Sequence, residues 1–217
     1  MFTTFGIDNY AGFILASIIL NITPGLDTFY ILTRSICQGK RAGMVSVAGI
    51  MSGCVVHVLC AAFGLSLILT TSALVFTVVK WAGAIYLIYM GIKILRDKKP
   101  AFDLSEDQCN AEEQDLMKIY KQGVITNVLN PKVALFFLSF LPQFIHAGSA
   151  ASLGPVPFLI LGATFLVTGT IWFSTLNYSA ARITRAMRDD DRIGERLKTA
   201  SGIVFIAFGV KLALETR

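Results

Sequence analysis

Long apolar runs separated by short polar connections dominate this chain. Since roughly 20 consecutive apolar residues in a helix cross a bilayer core, each run of that length predicts one transmembrane span. The predicted spans, six in all, cover about residues 10–33, 42–69, 72–95, 124–145, 153–176 and 198–215. A five-span alternative, in which the interrupted first run or the short sixth run does not cross, stays open on the sequence alone. The pattern predicts an all-α integral membrane protein.

The composition and charge of the chain are also typical of a protein embedded in a lipid bilayer. The 217 residues are 54% hydrophobic and only 15% charged, whereas a soluble domain holds about 25% charged residues. The net charge of +5 does not indicate a nucleic-acid partner, because the basic residues lie beside apolar runs and form no patch with interleaved aromatic residues. The opening residues also lack the cationic region and cleavage site of a signal peptide.

The distribution of Lys and Arg predicts how the spans are oriented. Cytoplasmic loops carry the excess of positive charge, and here the basic residues fall in the first, third and fifth connections, for example at Arg34, Arg96 and Arg182. The second and fourth connections hold no Lys or Arg. We therefore expect the odd connections in the cytoplasm and both termini on the periplasmic side, with residues 96–123 forming the one large hydrophilic loop.

The chain contains an internal repeat. The stretch "KWAGAIYLIYMGIKIL" from Lys80 aligns without gaps with "KTASGIVFIAFGVKLA" from Lys198, and "TPGLDTFYIL" aligns more weakly with "NPKVALFFLS". Because each repeat, 1–95 and 124–217, holds an odd number of spans, the second must cross the membrane in the opposite sense. The predicted architecture is six transmembrane helices in two inverted three-helix repeats, with helices 1 and 4 broken, as in many secondary transporters.

Two prolines interrupt the first and fourth spans near their middle. Pro24 follows Thr23, and Pro131 follows Asn130, so each proline stands where a new half-helix would begin behind an N-cap residue. In an inverted repeat the two half-helix N-termini would converge, and their unpaired N–H groups would suit an anion such as a carboxylate. The alternative is that both prolines are simple kinks, which membrane helices tolerate.

Asp27 and Lys132 place charges beside these breaks. A charge at bilayer depth costs at least about 2.5 kcal/mol and usually faces a cavity or a partner. We hypothesise a zwitterion site, with a substrate ammonium near Asp27 and a carboxylate near Lys132, the natural counter-charge of Asp27. Asp27 is also a candidate for proton coupling. The alternatives are that Asp27 only offsets the helix dipole and that Lys132 only extends toward the membrane surface.

The second span carries small residues and a histidine on one face. Gly49, Gly53 and His57 recur every four residues, and glycines at this spacing let helices pack closely. His57 has two interpretations, a hydrogen bond to a neighbouring carbonyl or a proton-coupling role. Asn127 and Asn130 near the second break either bind substrate through their amide groups or cap the broken helix.

These motifs, "NITPGLD", "GIMSGCVVH" and "NVLNPKVALFFLSFLPQF" together with the repeated segment from Lys80, resemble the LysE/RhtB family of bacterial inner-membrane amino-acid exporters over nearly the whole chain. The resemblance implies export of amino acids or close derivatives, with a neutral class such as threonine, homoserine or leucine favoured, driven by protons. It implies neither an enzyme nor a cofactor, and a homo-oligomer is compatible with it. Leu26 departs from the family, which usually has a second proline there. The family's signatures fall on Asn21, Thr23, Pro24, Gly25, Asp27, Asn127, Asn130, Pro131 and Lys132.

Other functions fit the sequence less well. A divalent metal exporter would need a cluster of His, Asp or Cys ligands, but His57 and His146 lie far apart in the chain. A membrane thiol oxidoreductase would need a reactive cysteine beside each break, where the chain has Gly25, Leu26 and Lys132 instead. A passive channel would not need the pair of broken helices. The sequence has no G-x-x-x-x-G-K-[ST] motif, which argues against direct ATP drive.

Overall fold

The fold was analysed in a computed structural model, which describes residues 5–65, 73–96, 115–146, 152–189 and 191–214. These residues are almost entirely helical, and the only β-type pairing among them is an isolated bridge between Ile7 and Ile145. The predicted all-α class is therefore confirmed. The α-helices are α1 (Tyr10–Ile22), α2 (Leu26–Cys37), α3 (Gly39–Leu59), α4 (Ala73–Arg96), α5 (Leu116–Val128), α6 (Pro131–Leu135), α7 (Val156–Asp189) and α8 (Asp191–Leu214). A π-helix, Cys60–Leu65, continues α3, and a π-helix and a 3-10 helix, Phe136–Phe140 and Leu141–Phe144, continue α6.

Several helices have the length and apolarity needed to cross a membrane. Among the described residues, Gly39–Gly64 and Val156–Ile183 meet this requirement as single helices. Two broken helix pairs meet it together: α1 with α2, bent by 52°, and Leu116–Val128 with Pro131–Phe144, bent by 45°. This gives up to four spans by length and composition, beside the shorter apolar helix Thr199–Leu214.

The predicted boundary of the fourth span was wrong by two turns. The sequence suggested a start near residue 124, but α5 begins at Leu116. Asp115 caps the helix there, since its side chain accepts hydrogen bonds from the backbone N–H groups of Met117 and Lys118. The first turns of α5 carry exposed polar residues around the buried Ile119. Their low hydropathy is typical of a loop, and the sequence therefore placed them outside the span. Residues 97–114 of the predicted hydrophilic loop lie outside the described residues.

Small residues bring α4 and α8 into close contact. A Cβ atom added at Gly91 would lie 2.6 Å from the carbonyl oxygen of Gly202, and one added at Gly209 would lie 2.8 Å from that of Ala84. The two helices are antiparallel here. Gly202, the earlier residue of α8, contacts the later residue of α4, Gly91, whereas Gly209 contacts the earlier residue, Ala84. In the repeat alignment Gly91 corresponds to Gly209 and Ala84 to Gly202. Exchanging the two repeats therefore turns one contact into the other.

A second glycine contact fixes α3 against α5, close to the second helix break. Added Cβ atoms at Gly49 and Gly53 would clash with the backbone carbonyls of Tyr120 and Val124 respectively. An aromatic cluster fills the space on the other side of this break, where ring centroids lie 4.9–5.9 Å apart, as is usual for packed aromatic pairs. The cluster contains Phe13, Phe136, Phe137, Phe140, Phe144, Phe165 and Phe208.

Candidate functional site

The first helix break differs from the expected geometry. α1 ends at Ile22, and α2 begins at Leu26 with Gly25 as its N-cap and no capping side chain. The expected N-cap role of Thr23 was wrong, because its hydroxyl donates back to the carbonyl of Ile19 at 2.7 Å and so belongs to the end of α1. The break therefore spans Thr23, Pro24 and Gly25, which leaves the first N–H groups of α2 without a side-chain cap.

The second break has the expected geometry. Asn130 is the N-cap of α6, and its Oδ1 accepts a hydrogen bond of 3.0 Å from the backbone N–H of Lys132. Pro131 occupies the first helical position, where its missing N–H leaves no donor unsatisfied. The other side-chain atom of Asn130, the amide Nδ2, is buried and has no hydrogen-bond partner. Asn130 thus caps the helix with one atom, and its amide group lies near enough to the Asp27 carboxylate to interact with it without completing a hydrogen bond of good geometry.

Lys132 reaches from the second break to the first. Its side chain is only 5% exposed, and its Nζ donates to the carbonyls of Leu20 at 3.2 Å and Thr23 at 2.9 Å. These carbonyls belong to the C-terminal end of α1, where the helix dipole favours a cation. A Cβ atom at Gly25 would lie 3.3 Å from this Nζ, so the glycine leaves room for the ammonium group.

Asp27 lies in the first turn of α2 and is only 2% exposed. Its Oδ2 accepts a hydrogen bond of 3.0 Å from Nδ2 of Asn127, whereas its Oδ1 has no hydrogen-bond partner. Among the described residues the ion-pair geometry does not join Asp27 to Lys132. The two charges are therefore near the same pair of breaks but are held by different groups, an amide and two carbonyls, rather than by direct contact.

Unpartnered polar atoms are concentrated at this place. Buried side-chain atoms are nearly always hydrogen-bonded, so each exception calls for an explanation such as an unseen water or ligand. Here the exceptions include two acceptors, Oδ1 of Asp27 and Oδ1 of Asn127, and one donor, Nδ2 of Asn130. A molecule that carries both an ammonium and a carboxylate group would supply the complementary atoms.

His57 and Asn21 border the site without contacting Asp27 through a hydrogen bond. Nε2 of His57 lies 3.0 Å from the carbonyl oxygen of Asn127 and donates to it, while the imidazole stacks on Phe137 with 6.2 Å between ring centroids. Asn21 points to the other side, where its Nδ2 donates to Oγ1 of Thr168 at 3.2 Å. Of the two interpretations of His57, the hydrogen bond to a neighbouring carbonyl is the contact that the structure shows.

Sequence reasoning did not assign a site role to Tyr30, Arg34 or Gln122. The Tyr30 hydroxyl donates to the carbonyl of Ile119 at 2.6 Å, and Nη2 of Arg34 donates to Oε1 of Gln122 at 2.7 Å. The spacing from Asp27 was a usable signal, since residues three and seven positions further on share one helix face. The partners on α5, however, lie 88 and 89 residues away in the chain and could not be found from spacing.

No metal-ion site was identified in the part of the chain that the structure describes. A search of those residues for groups of three or more His, Cys, Asp or Glu side chains found none. The polar atoms around Asp27 are amides, one carboxylate and one ammonium group, a set that suits a charged organic molecule rather than a soft or borderline metal ion.

Comparison with known proteins gives a consistent family. The family model described as LysE type translocator matches residues 18–216. The chain is 30% identical to a leucine efflux protein of Klebsiella pneumoniae, over 98% of each chain. It is 28% identical to a leucine efflux protein of Salmonella typhimurium and to an uncharacterised membrane protein of Pseudomonas aeruginosa, again over 98% of each chain. No solved structure matches this chain.

Proposed function

This chain belongs to the LysE type translocator family, and we propose that it is a multi-pass inner-membrane secondary transporter that exports amino acids from the bacterial cytoplasm. Its substrate belongs to the neutral class that includes leucine, the amino acid for which several full-length relatives are named. The observation that carries the proposal is the set of unpartnered buried atoms between the two helix breaks. They match an ammonium and a carboxylate group at once.

The substrate's charged groups have defined places in this proposal. The ammonium group donates to Oδ1 of Asp27 and Oδ1 of Asn127, and the carboxylate accepts from Nδ2 of Asn130 and from the Lys132 ammonium. One acidic and one basic side chain together leave no net charge for a further charged group to balance, which favours a neutral amino acid. Asn21, Thr23, Pro24, Gly25 and Pro131 shape the two breaks around the substrate.

Asp27 also couples export to the proton gradient. Its free oxygen accepts either a proton or the substrate ammonium, and binding one excludes the other, because a protonated carboxyl has lost the charge that holds the ammonium. A carrier with such a shared position exchanges proton for substrate across the membrane. His57 has a supporting role, since its imidazole holds the backbone carbonyl of Asn127, whose side chain in turn positions Asp27.

Alternating access uses two inverted repeats, the first ending with α4 and the second beginning with α5 at Leu116, with the hydrophilic stretch between them in the cytoplasm and both termini in the periplasm. The reciprocal contacts between α4 and α8, Gly91 with Gly202 and Ala84 with Gly209, support this arrangement. Gly25 and Lys132, which correspond in the weaker repeat alignment, also lie against each other. Contact between a residue and its repeat equivalent supports a two-fold axis that passes near the site.

The proposal is tested by transport into everted membrane vesicles, which expose the cytoplasmic face. Labelled leucine, threonine, lysine and one divalent metal ion are offered with and without an imposed proton gradient. We expect gradient-dependent uptake of leucine above that of vesicles lacking the protein. Asp27→Asn should abolish this uptake, because the amide binds neither a proton nor an ammonium group by charge.

Asp8→Asn is the matched control, since Asp8 is an exposed carboxylate that pairs with His146 at 3.2 Å far from the breaks along the chain. It should transport as the unmodified protein does. Transport of the metal ion alone, or leucine uptake that survives Asp27→Asn with the gradient dependence intact, would overturn the proposal.

A further inference from the structure

The face of α2 that carries Asp27 makes polar contacts with α5 from the first turn of α2 to its last. Three polar contacts join the two helices: Asp27 with Asn127 at 3.0 Å, Tyr30 with the carbonyl of Ile119 at 2.6 Å, and Arg34 with Gln122 at 2.7 Å. Arg34 lies seven residues beyond Asp27, about 10 Å along the helix, in its last turn. The contact between α2 and α5 therefore lies between the buried site at Asp27 and the C-terminal end of α2, where Arg34 is located.

Arg34 is held by neutral groups only. Its Nη1 donates to Oε1 of Gln38 at 3.1 Å and its Nη2 to Oε1 of Gln122 at 2.7 Å, and the guanidinium carbon lies 5.3 Å from the centre of the Tyr30 ring. Among the described residues no carboxylate forms an ion pair with Arg34. Two oxygens thus approach two nitrogens of one guanidinium, which is how the two oxygens of a carboxylate bind arginine.

This end of the protein attracts anions before they reach Arg34. Four exposed cations lie here, Lys118 and Lys121 on α5 and Lys40 and Arg41 at the start of α3, and they outnumber the exposed carboxylate beside them, Asp115 at the start of α5. An excess of one sign of charge raises the local concentration of oppositely charged groups. A carboxylate near this end of the protein is therefore attracted toward Arg34.

We infer that Arg34 binds the carboxylate of the amino acid that arrives from the cytoplasm, and that the side-chain oxygens of Gln38 and Gln122 occupy this position until the substrate displaces them. The inference rests on the proposed function and adds a second recognition position to it, about 10 Å from Asp27 along α2. Displacing Gln122 also removes one of the three polar contacts described between α2 and α5. A carboxylate at Arg34 therefore loosens the path to the central site.

The first test compares leucine with leucinamide, which lacks the carboxylate, at the cytoplasmic face of everted vesicles. The KM for leucine uptake and the inhibition constant of leucinamide against it are measured for the unmodified protein and for Arg34→Gln. We expect Arg34→Gln to raise the KM for leucine by about tenfold or more, because a charge-assisted pair is lost. The inhibition constant of leucinamide should change by less than about twofold, because leucinamide has no carboxylate to lose contact.

A second pair of variants separates recognition from simple structural support. Gln122→Glu places a carboxylate against Arg34 and should raise the KM for leucine, since a charged competitor now occupies the guanidinium. Gln122→Leu removes the competing oxygen at similar size and should lower this KM. If Arg34 and Gln122 only hold the helices together, Gln122→Glu strengthens that contact and Gln122→Leu weakens it, and neither variant changes the preference for leucine over leucinamide.

The outcomes distinguish this inference from the proposed function. If the unmodified protein moves no amino acid, the proposed function fails and this inference fails with it. If leucine uptake depends on Asp27, but Arg34→Gln weakens leucine and leucinamide equally, the proposed function stands and Arg34 is a structural residue. Arg34→Lys gives a further check: it keeps the charge without the two-pronged geometry and should lie between Arg34→Gln and the unmodified protein in its KM for leucine.

Discussion

At the scale of single residues, the site holds two opposite charges without pairing them. A buried ion pair would satisfy Asp27 and Lys132 but would leave a substrate little to bind. Instead Lys132 rests on the carbonyls of Leu20 and Thr23, and Asp27 keeps one oxygen unpartnered. Both charges are stabilised by neutral dipoles, so both can turn to a substrate without breaking a strong ion pair.

His57→Gln tests which side chain carries the coupling proton. His57 donates to the carbonyl of Asn127, and the glutamine amide can donate to the same oxygen but cannot titrate. If Asp27 alone exchanges protons, the pH dependence of leucine export should be unchanged in His57→Gln, whereas Asp27→Asn should show no leucine uptake at any pH. Initial rates of leucine uptake into everted vesicles, measured across a pH series, decide this. A lost pH dependence in His57→Gln would assign the proton to the histidine.

Much of the central site could be predicted from single residues, because charged and capping residues inside an apolar run are rare enough to stand out. Asp27, Asn130, Pro131 and Lys132 were identified in that way. The actual partners were not predicted, since the bond from Asn127 to Asp27 joins positions 100 residues apart. Lys132 was predicted as the counter-charge of Asp27, but the sequence did not show that its ammonium group would donate to the carbonyls at the end of α1.

At the scale of helices, the two breaks are made by different means. In the second break Asn130 caps α6 and Pro131 starts it, a local combination that the sequence contains in full. In the first break Thr23 bonds backwards to Ile19, and Gly25 takes the N-cap position without a capping side chain. The sequence predicted both breaks but only one of their caps, because a threonine hydroxyl can bond in either direction along the chain.

Asn130 should reveal whether its two polar atoms have separate roles. Asn130→Ala removes the cap and should lower the free energy of unfolding by about 1 kcal/mol, together with a higher KM for leucine. Asn130→Ser retains an N-cap oxygen and should keep nearly the original melting temperature, but it lacks the amide donor and should still raise the KM. Thermal unfolding in detergent and leucine uptake are measured side by side. A normal KM in Asn130→Ser would show that Nδ2 does not contact the substrate.

At the scale of the whole molecule, the contacts between α4 and α8 obey the symmetry of the repeat. Gly91 meets Gly202, and Gly209 meets Ala84. The alignment from Lys80 and Lys198 predicted that these segments are equivalent but not that they touch, since equivalence in sequence does not specify distance. The close approach depends on small residues at all four positions.

Substitutions at the equivalent glycines should therefore have equivalent effects. Gly91→Ala and Gly209→Ala each drive a Cβ atom against a backbone carbonyl and should each lower the free energy of unfolding by about 1–3 kcal/mol. Gly64→Ala is the matched control, since a Cβ atom there would meet no atom of the described residues within 4 Å. Melting temperatures in the same detergent are compared. A large loss in only one of the two variants would contradict a shared symmetric interface.

The central claim, that the two helix breaks form one site for both charged ends of an amino acid, is tested most directly by equilibrium binding to the purified protein. Leucine is compared with leucinamide, which lacks the carboxylate, and with isocaproate, which lacks the ammonium group, in the unmodified protein and in Asp27→Asn. The account requires that each analogue binds at least about tenfold more weakly than leucine, and that Asp27→Asn weakens leucine and leucinamide but not isocaproate. Equal binding of the three compounds, or an equal loss of all three in Asp27→Asn, would contradict it.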